Sequence, residues 1–488
     1  LSRYIIAVDL GTSSCKVTAI TPEGKFLSSR TGTYPVNQPR PDWAEQDPAA
    51  WWEASVNAIK EILADLKKDD HQPIGLSLSS QMAGLVLTDA TGEVLAPALI
   101  WLDRRSQDEA KELAGKFGAA TVYRRTGCHI DPSYPAAKLL WLKNNHPEIY
   151  QRAGKILGVK DYLFYCLTGR FITDPSSAST TQFFNIVECR WEEEILKYVG
   201  ITTAQLPEVQ PSTAVHPLSG AAAAALGLSA GLPVAVGAGD GVCASLGAGA
   251  IEPGQACVTL GTSGVLRITA DRPVRDKKGR LFCYCLQPGV WLGGGATNAA
   301  GNSLAWFKSR FYREATYDLI NNDVLKAPPG AGGLIFLPYL MGERAPIWDP
   351  NAKGVFWGLT MDHECRHLAR AVMEGVAYSL KDIQERLEDM GIAIEVIKAT
   401  GGGSKSGVWR QILADVLDKK VVDSPPDGTP LGAAMLVAVG LGMYNDLAAA
   451  GAMVHYSSIS LPRQEYREVY DQGFYRYREI YRRNADLM

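Results

Sequence analysis

No stretch of the sequence is apolar for long enough to cross a bilayer, and no basic segment leading into an apolar core opens it. A membrane role is therefore not expected, and a cytoplasmic location is. There is no marked excess of either charge: the formal net charge is −3, which gives no reason to look for nucleic acid or an anionic membrane as partner. A disulfide framework is missing too. The nine cysteines (Cys15, Cys128, Cys166, Cys189, Cys243, Cys257, Cys283, Cys285 and Cys365) are odd in number and scattered through apolar stretches, as reduced thiols are. Cys283 and Cys285 stand two apart and would share one face of a strand. No second Cys/His pair lies near them, which favours packing over a metal site. Finally, no Gly-x-x-x-x-Gly-Lys-Ser/Thr occurs, which excludes a P-loop nucleotide site.

Glycine, by contrast, is plentiful and clustered, the pattern of tight turns and of backbone that approaches a ligand. A length of 488 residues suits two or three domains. Tyr4–Ile20 predicts strand, polar Gly-Thr-Ser-Ser tip, strand. Ala256–Thr269 repeats that unit, with Gly11 and Gly261 in matching positions. Recurrence at half length suggests two similarly built halves. Between the hairpins, Asp47 and Pro48 predict a helix start. Ile74–Ser80 and Val94–Leu102 predict strands, and Ala136–Asn144 and Lys160–Leu167 predict helices. Pro217–Pro233 reads as the approach to the second half. Further on, Asp362–Leu387 predicts a long amphipathic helix, Gly401–Ser404 a loop feeding a helix over Gly407–Leu417, Gly432–Ala438 a buried helix, and Arg463–Arg483 a charged, Tyr-rich one. The alternation indicates an α/β protein.

Three places have chemistry written into their residue types. Hairpin tips of Gly, Thr and Ser offer backbone amides and hydroxyls without bulk, which cradles phosphate oxygens, although a polar β-turn has the same composition. Asp9, just before the first tip, is a carboxylate able to hold Mg²⁺ or its waters. Asp240 follows a strand between Gly239 and Gly241, so a substrate can reach it as general base; the same Asp would also cap the helix after it. Gly401–Gln411 is a flexible loop opening a helix, where backbone amides meet a phosphate or a flat ring. His363–His367 matches H-E-x-x-H, the zinc-protease pattern. It lies at the polar start of its helix, with apolar periodicity only from Leu368, so zinc is not expected.

Taken in order, these motifs resemble the FGGY carbohydrate kinases of the sugar kinase and actin superfamily. Asp9–Ser14 resembles the first phosphate motif and Trp43–Pro48 an early loop motif. Val159–Leu163 with Leu167–Gly169 resembles a mid-domain signature. Gly239–Gly241 stands where the family has its catalytic Asp, and Leu260–Gly264 resembles the second phosphate motif. Pro338–Pro346, Gly354–Leu359 and Glu374–Gly375 resemble a second signature, and Gly401–Ser404 the adenosine motif. The resemblance implies two ribonuclease H-like domains, 1–245 and 246–488, with a cleft between them. The first would bind sugar and carry the first phosphate motif; the second would bind nucleotide. It implies catalysis by Asp240; acceptor contacts from Gln81, Met82, Trp101, Asp103 and Asp240; ATP contacts from Gly11, Thr12, Ser13, Gly261, Thr262, Ser263, Gly402, Gly403 and Ser404; and Mg²⁺ near Asp9 and Asp240. Expected partners are a small sugar or sugar acid and ATP, with a homodimer as the assembly. D-xylulose is the first expected acceptor and D-gluconate the second. Gln81-Met82 and the Thr126–Lys138 segment resemble ketopentose kinases. Ala83 and Gly241 depart from the xylulokinase pattern, and Arg280–Tyr284 resembles gluconate kinases. A non-catalytic, actin-like nucleotide switch is the alternative class.

Overall fold

The computed structural model describes residues 2–67, 71–425 and 427–488. The chain forms two compact units. The first comprises Leu1–Gly247, Asp271–Leu292 and Gly428–Val454; the second comprises Ala248–Ala270, Gly293–Asp427 and His455–Met488.

The first unit is built on strands β1 (Ser2–Leu10), β2 (Ser14–Ile20), β3 (Phe26–Thr33), β4 (His71–Ser80), β5 (Val215–Pro217) and β6 (Pro233–Gly239), paired in the order β5-β6-β4-β1-β2-β3. β1, β4 and β6 are parallel, with Leu10 opposite Ser80 and Ser80 opposite Gly239. Tyr4 to Val8 is an unbroken apolar run because both faces of β1 are covered. On one side Tyr4, Ile6, Val8 and Leu10 join Trp51, Ile59 and Ile62 of α1 (Pro48–Leu66) in a single core. On the other lies the helix Gly428–Gly440. Asp47 caps α1, accepting from Ala49 N at 2.9 Å, with Pro48 as its first residue. Further helices of this unit are α2 (Pro135–Asn145), α3 (Val159–Thr168), α4 (Pro175–Ser179) and α5 (Asp240–Gly247).

Two predicted elements differ. Val94–Leu102 is not one continuous strand; Ala98–Leu99 pairs with Glu45–Gln46, and Val94 forms an isolated bridge to Thr88. Pro97 offers no amide, and the Ile100 carbonyl is taken by the Lys138 ammonium, so no ladder can extend. Pro217–Pro233 is not a spacer but the edge of the sheet, running from β5 through a short helix at Gly220–Leu226 into β6.

In the second unit, β7 (Gln255–Leu260), β8 (Gly264–Ala270), β9 (Val290–Thr297), β10 (Val396–Thr400), β11 (Lys420–Asp423) and β12 (Ile459–Ser460) lie in the order β9-β8-β7-β10-β11-β12. Its principal helices are α6 (Gly301–Phe311), α7 (Cys365–Glu388), α8 (Gly407–Leu417) and α9 (Arg467–Asn484). α7 starts three residues later than predicted, because Glu364 and His367 cap it: His367 Nδ1 accepts from Glu364 N at 3.0 Å. Among the described residues no helix is long and apolar enough to cross a membrane.

Candidate active site

Each parallel strand of the first sheet ends at the same edge, and there the chain turns out with polar residues, the usual place for a ligand on such a sheet. β1 ends in the tip Gly11–Ser13, β4 in Gln81-Met82, and β6 in Asp240, the first residue of α5. The tip is tied down by hydrogen bonds that the sequence does not advertise. Gly11 N donates to Ser14 O at 2.9 Å, and Tyr34 OH to Gly11 O at 2.7 Å. Thr12 O accepts from Gln46 Nε2 at 2.7 Å, and Thr12 Oγ1 from Trp101 Nε1 at 2.9 Å. Gln81 Nε2 in turn donates to Gln46 Oε1 at 2.8 Å. The phosphate tip, Gln81 and Trp101 are therefore one connected network through Gln46, a residue sequence reasoning placed only in a loop motif. Gln81 is buried, and its Oε1 meets no hydrogen-bond partner among the described residues.

Asp240 is half-buried, its Oδ1 accepting from Gly241 N at 2.6 Å. Met82 lies over Gly239, where a Cβ would come within 2.6 Å of its sulfur; a side chain at 239 would push Met82 away from the base. α5 in turn packs on the helix Gly428–Gly440 at backbone distance, since a Cβ on Gly432 would sit 2.0 Å from Cys243 O. Burial pushes the Cys243 thiol up, and the negative charges of Asp9, Asp174 and Asp240 act in the same direction. A carboxylate such as that of Asp9 or Asp240, completed by phosphates and water, is the kind of oxygen ligand that Mg²⁺ takes.

Trp101 is exposed, whereas Asp103 is fully buried. Asp103 Oδ2 accepts from Ala44 N at 2.7 Å, and both its oxygens accept from Arg105 Nε at 2.9 Å. Arg105 also reaches Glu45 at 2.7 Å and stacks 3.6 Å above the Trp43 ring. Arg104 is placed differently: its side chain is 48% exposed, and its guanidinium is held 3.4 Å from Asp131. Asp131 is itself engaged by Ser133, through N at 2.9 Å and Oγ at 2.5 Å. Sequence reasoning passed over Lys138. Its ammonium donates to Ala83 O at 3.0 Å and Ile100 O at 2.7 Å, joining the Gln81 and Trp101 segments from beneath. Burial pulls its pKa down to about 7, against the opposing pull of Asp103 and Asp131. A lysine inside an apolar helix pattern was the signal available.

In the second unit, β7 and β8 flank the tip Gly261–Ser263, and the first turn of α6 sits on it. Gly301 N donates to Gly261 O at 2.8 Å and Asn302 N to Thr262 O at 3.1 Å. β10 runs parallel to β7 and ends beside it in Gly401–Ser404, so both glycine-rich motifs meet at Leu260. Gly401 has φ 91°, and a Cβ there would lie 2.8 Å from Leu260 O; Gly402 faces open space. Ser404 is buried, with Oγ donating to Gly401 O at 2.8 Å. Glu343 was not singled out by sequence. It accepts from Asn298 N and Arg344 N, each at 2.7 Å, and from Thr297 Oγ1 at 2.5 Å; burial raises its pKa to about 7. Asn302 Nδ2 donates to Asn298 O at 2.8 Å, which connects Glu343 to the helix start at the second tip.

The H-E-x-x-H residues serve the start of α7. His363 Nδ1 accepts from Thr360 N at 3.0 Å, as His367 Nδ1 does from Glu364 N. Among the described residues no group of three or more His, Cys, Asp and Glu side chains is placed to hold a metal ion. None of the nine cysteines forms a disulfide, and Cys283 and Cys285 are buried.

Residues 4–247 match the N-terminal domain, and residues 256–441 the C-terminal domain, of the FGGY family of carbohydrate kinases. Over 483 residues the chain is 34% identical to a gluconokinase of Bacillus licheniformis, covering 96% of this chain and 94% of that protein. Over 491 residues it is 33% identical to a xylulose kinase of Staphylococcus epidermidis, covering 100% and 98%. Two crystal structures from Lactobacillus acidophilus, a gluconate kinase and a ligand-bound xylulose kinase, each superpose with a TM-score of 0.94 at 32% identity. They cover 99% of this chain, and 99% and 98% of theirs.

Proposed function

The chain belongs to the FGGY family of carbohydrate kinases, and from that premise we propose that it transfers the γ-phosphoryl group of ATP to a hydroxyl of an open-chain sugar acid, D-gluconate, with Asp240 as general base. The observation that carries the reaction is the shared edge of β1, β4 and β6, where the Gly11–Ser13 tip, Gln81-Met82 and Asp240 emerge together. Residues 1–245 hold the acceptor and the first phosphate motif; residues 246–488 hold the nucleotide through Gly261–Ser263 and Gly402–Ser404. Phosphoryl transfer asks mainly for positioning and neutralisation of charge. Backbone amides and hydroxyls of the two tips supply donors to phosphate oxygens. Asp240 accepts the proton of the attacking hydroxyl. Gln81 Oε1, a buried acceptor, receives a hydrogen bond from an acceptor hydroxyl. Trp101 and Met82 form the apolar wall, with Asp103 and Lys138 fixing the loops that carry it. Asp9 and Asp240 would hold Mg²⁺, which neutralises phosphate charge when bound.

Gluconate is placed ahead of D-xylulose because the two arginines that directly follow Asp103 are placed differently. Arg105 is committed to Asp103, Glu45 and Trp43. Arg104 is half-exposed and only loosely held, so it can pair with a substrate carboxylate that would be costly to bury alone. Xylulose remains the second reading on the Gln81 amide, which suits a neutral polyol as well. The test is a coupled ADP assay with both compounds on wild type and Arg104→Gln. A charge-assisted hydrogen bond corresponds to about 10- to 100-fold in kcat/KM, so the variant should lose that much on gluconate and little on xylulose. Wild-type turnover of xylulose with none of gluconate would overturn the assignment.

A further inference from the structure

Behind the strand that delivers Asp240 lies a buried ionic cluster. Lys160 on α3 is 1% exposed and Asp174, the cap of α4, is 0% exposed. The Lys160 ammonium lies 3.0 Å from Asp161 and 3.3 Å from Asp174. Asp161 Oδ2 accepts from Gly158 N at 2.9 Å. Asp174 Oδ2 gathers Ser176 N at 2.9 Å, Ser212 Oγ at 3.3 Å and the Ser176 hydroxyl. With its hydroxyl donating to Asp174, Ser176 Oγ is left as an acceptor, and Gly239 N donates to it at 3.1 Å. A second tie from the same cluster runs from Gly237 N to Ser212 O at 3.0 Å. The peptide that carries Asp240 is therefore hung on the cluster at two points.

We propose that Lys160, Asp174 and Ser176 are positioning residues for the phosphoryl transfer, holding the Gly239–Asp240 turn so that the Asp240 carboxylate faces the acceptor hydroxyl. This rests on the reading of Asp240 as base. Stability alone is a weak reason for such a cluster, because buried ion pairs are commonly replaceable by apolar side chains at no cost to the fold. The chain of bonds is directional instead: Lys160 orients Asp174, Asp174 accepts a hydrogen bond from the Ser176 hydroxyl, and Ser176 Oγ in turn accepts from the amide before the base. Burial pulls Lys160 down, but Asp161 and Asp174 more than offset it, so the ammonium stays charged. Asp240 itself opens α5, where amides at the helix start favour a carboxylate.

The experiment measures kcat, both KM values and melting temperature for wild type, Ser176→Ala, Lys160→Met and Asp240→Asn. Ser176→Ala removes one hydroxyl and should fold even if Lys160→Met does not. Expected for Ser176→Ala is a fall in kcat of about 10-fold or more with ATP KM within about twofold and an unchanged melting temperature. A loss of kcat that only follows the loss of folded protein would assign the cluster to folding and overturn the proposal. Wild-type kcat in Ser176→Ala beside an inactive Asp240→Asn would also overturn it while leaving the base in place. An active Asp240→Asn would instead remove the base, and the inference with it.

Discussion

At the residue scale, chemistry and support are carried by different side chains. Asp240 combines the requirements of a base: partial exposure, a helix start and no bulky neighbour on either side. Asp240→Asn keeps the size and the helix cap but cannot accept a proton. Its kcat should fall by about 10²- to 10⁴-fold with an unchanged melting temperature; turnover near wild type would take Asp240 out of the mechanism. Asp103, two residues from an exposed ring, has both oxygens occupied by Arg105 and the Ala44 amide. Sequence placed it with Gln81 and Trp101 as one set. Burial separates them, because a carboxylate with no exposed surface and a guanidinium over it is already neutralised.

At the element scale, the hairpins were legible and their supports were not. Both strand–tip–strand units lie where β-branched runs flank Gly-Thr-Ser. At Gly261 a Cβ meets only Ser263 O among the described residues, at 3.6 Å. The crowded position is Gly301, whose Cβ would lie 2.6 Å from Gly261 O. Gly301→Ala should push the first turn of α6 off the second tip and raise ATP KM by about tenfold, the worth of about one lost hydrogen bond to a charged group. Gly261→Ala should stay within about threefold. Steady-state kinetics on both variants decides, and the reverse order would count against α6 as the support of that tip. Val94–Leu102 shows the other side of local reading. Its composition is that of a strand, yet Lys138, far along the chain, takes the carbonyl that a ladder would need.

At the scale of the whole molecule, two buried groups titrate near neutrality and pull stability in opposite directions. Glu343 in the fold has a pKa of about 7, above its ordinary 4.5. Between those values the folded state binds the extra proton, so this contribution is present below 4.5 and is lost as pH rises through 7. Lys138, lowered from 10.5 to about 7, contributes a rise in stability with pH between 7 and 10.5. Glu343→Gln copies the protonated form. Relative to wild type it should gain on the order of 3 kcal/mol between pH 5 and pH 8, from a shift between the two values for Glu343. Denaturation of the second unit at the two pH values measures it, and a constant difference would show that Glu343 does not titrate there.

What the amino-acid string determined was whatever depends on neighbours in sequence: the two glycine tips, the capped start of α1, the order of the family motifs and the Gly-flanked Asp240. Those features are set by backbone sterics, side-chain volume and local hydrogen bonding, so a few consecutive residues contain them. Tertiary structure alone decided which of Arg104 and Arg105 is committed, that Lys138 joins two loops, that Ser176 holds Gly239, and that Gly428–Val454 joins the first unit although it follows most of the second. Each of these depends on burial and on which partners the fold brings near, and roughly equal side chains take opposite roles according to how much water is left around them.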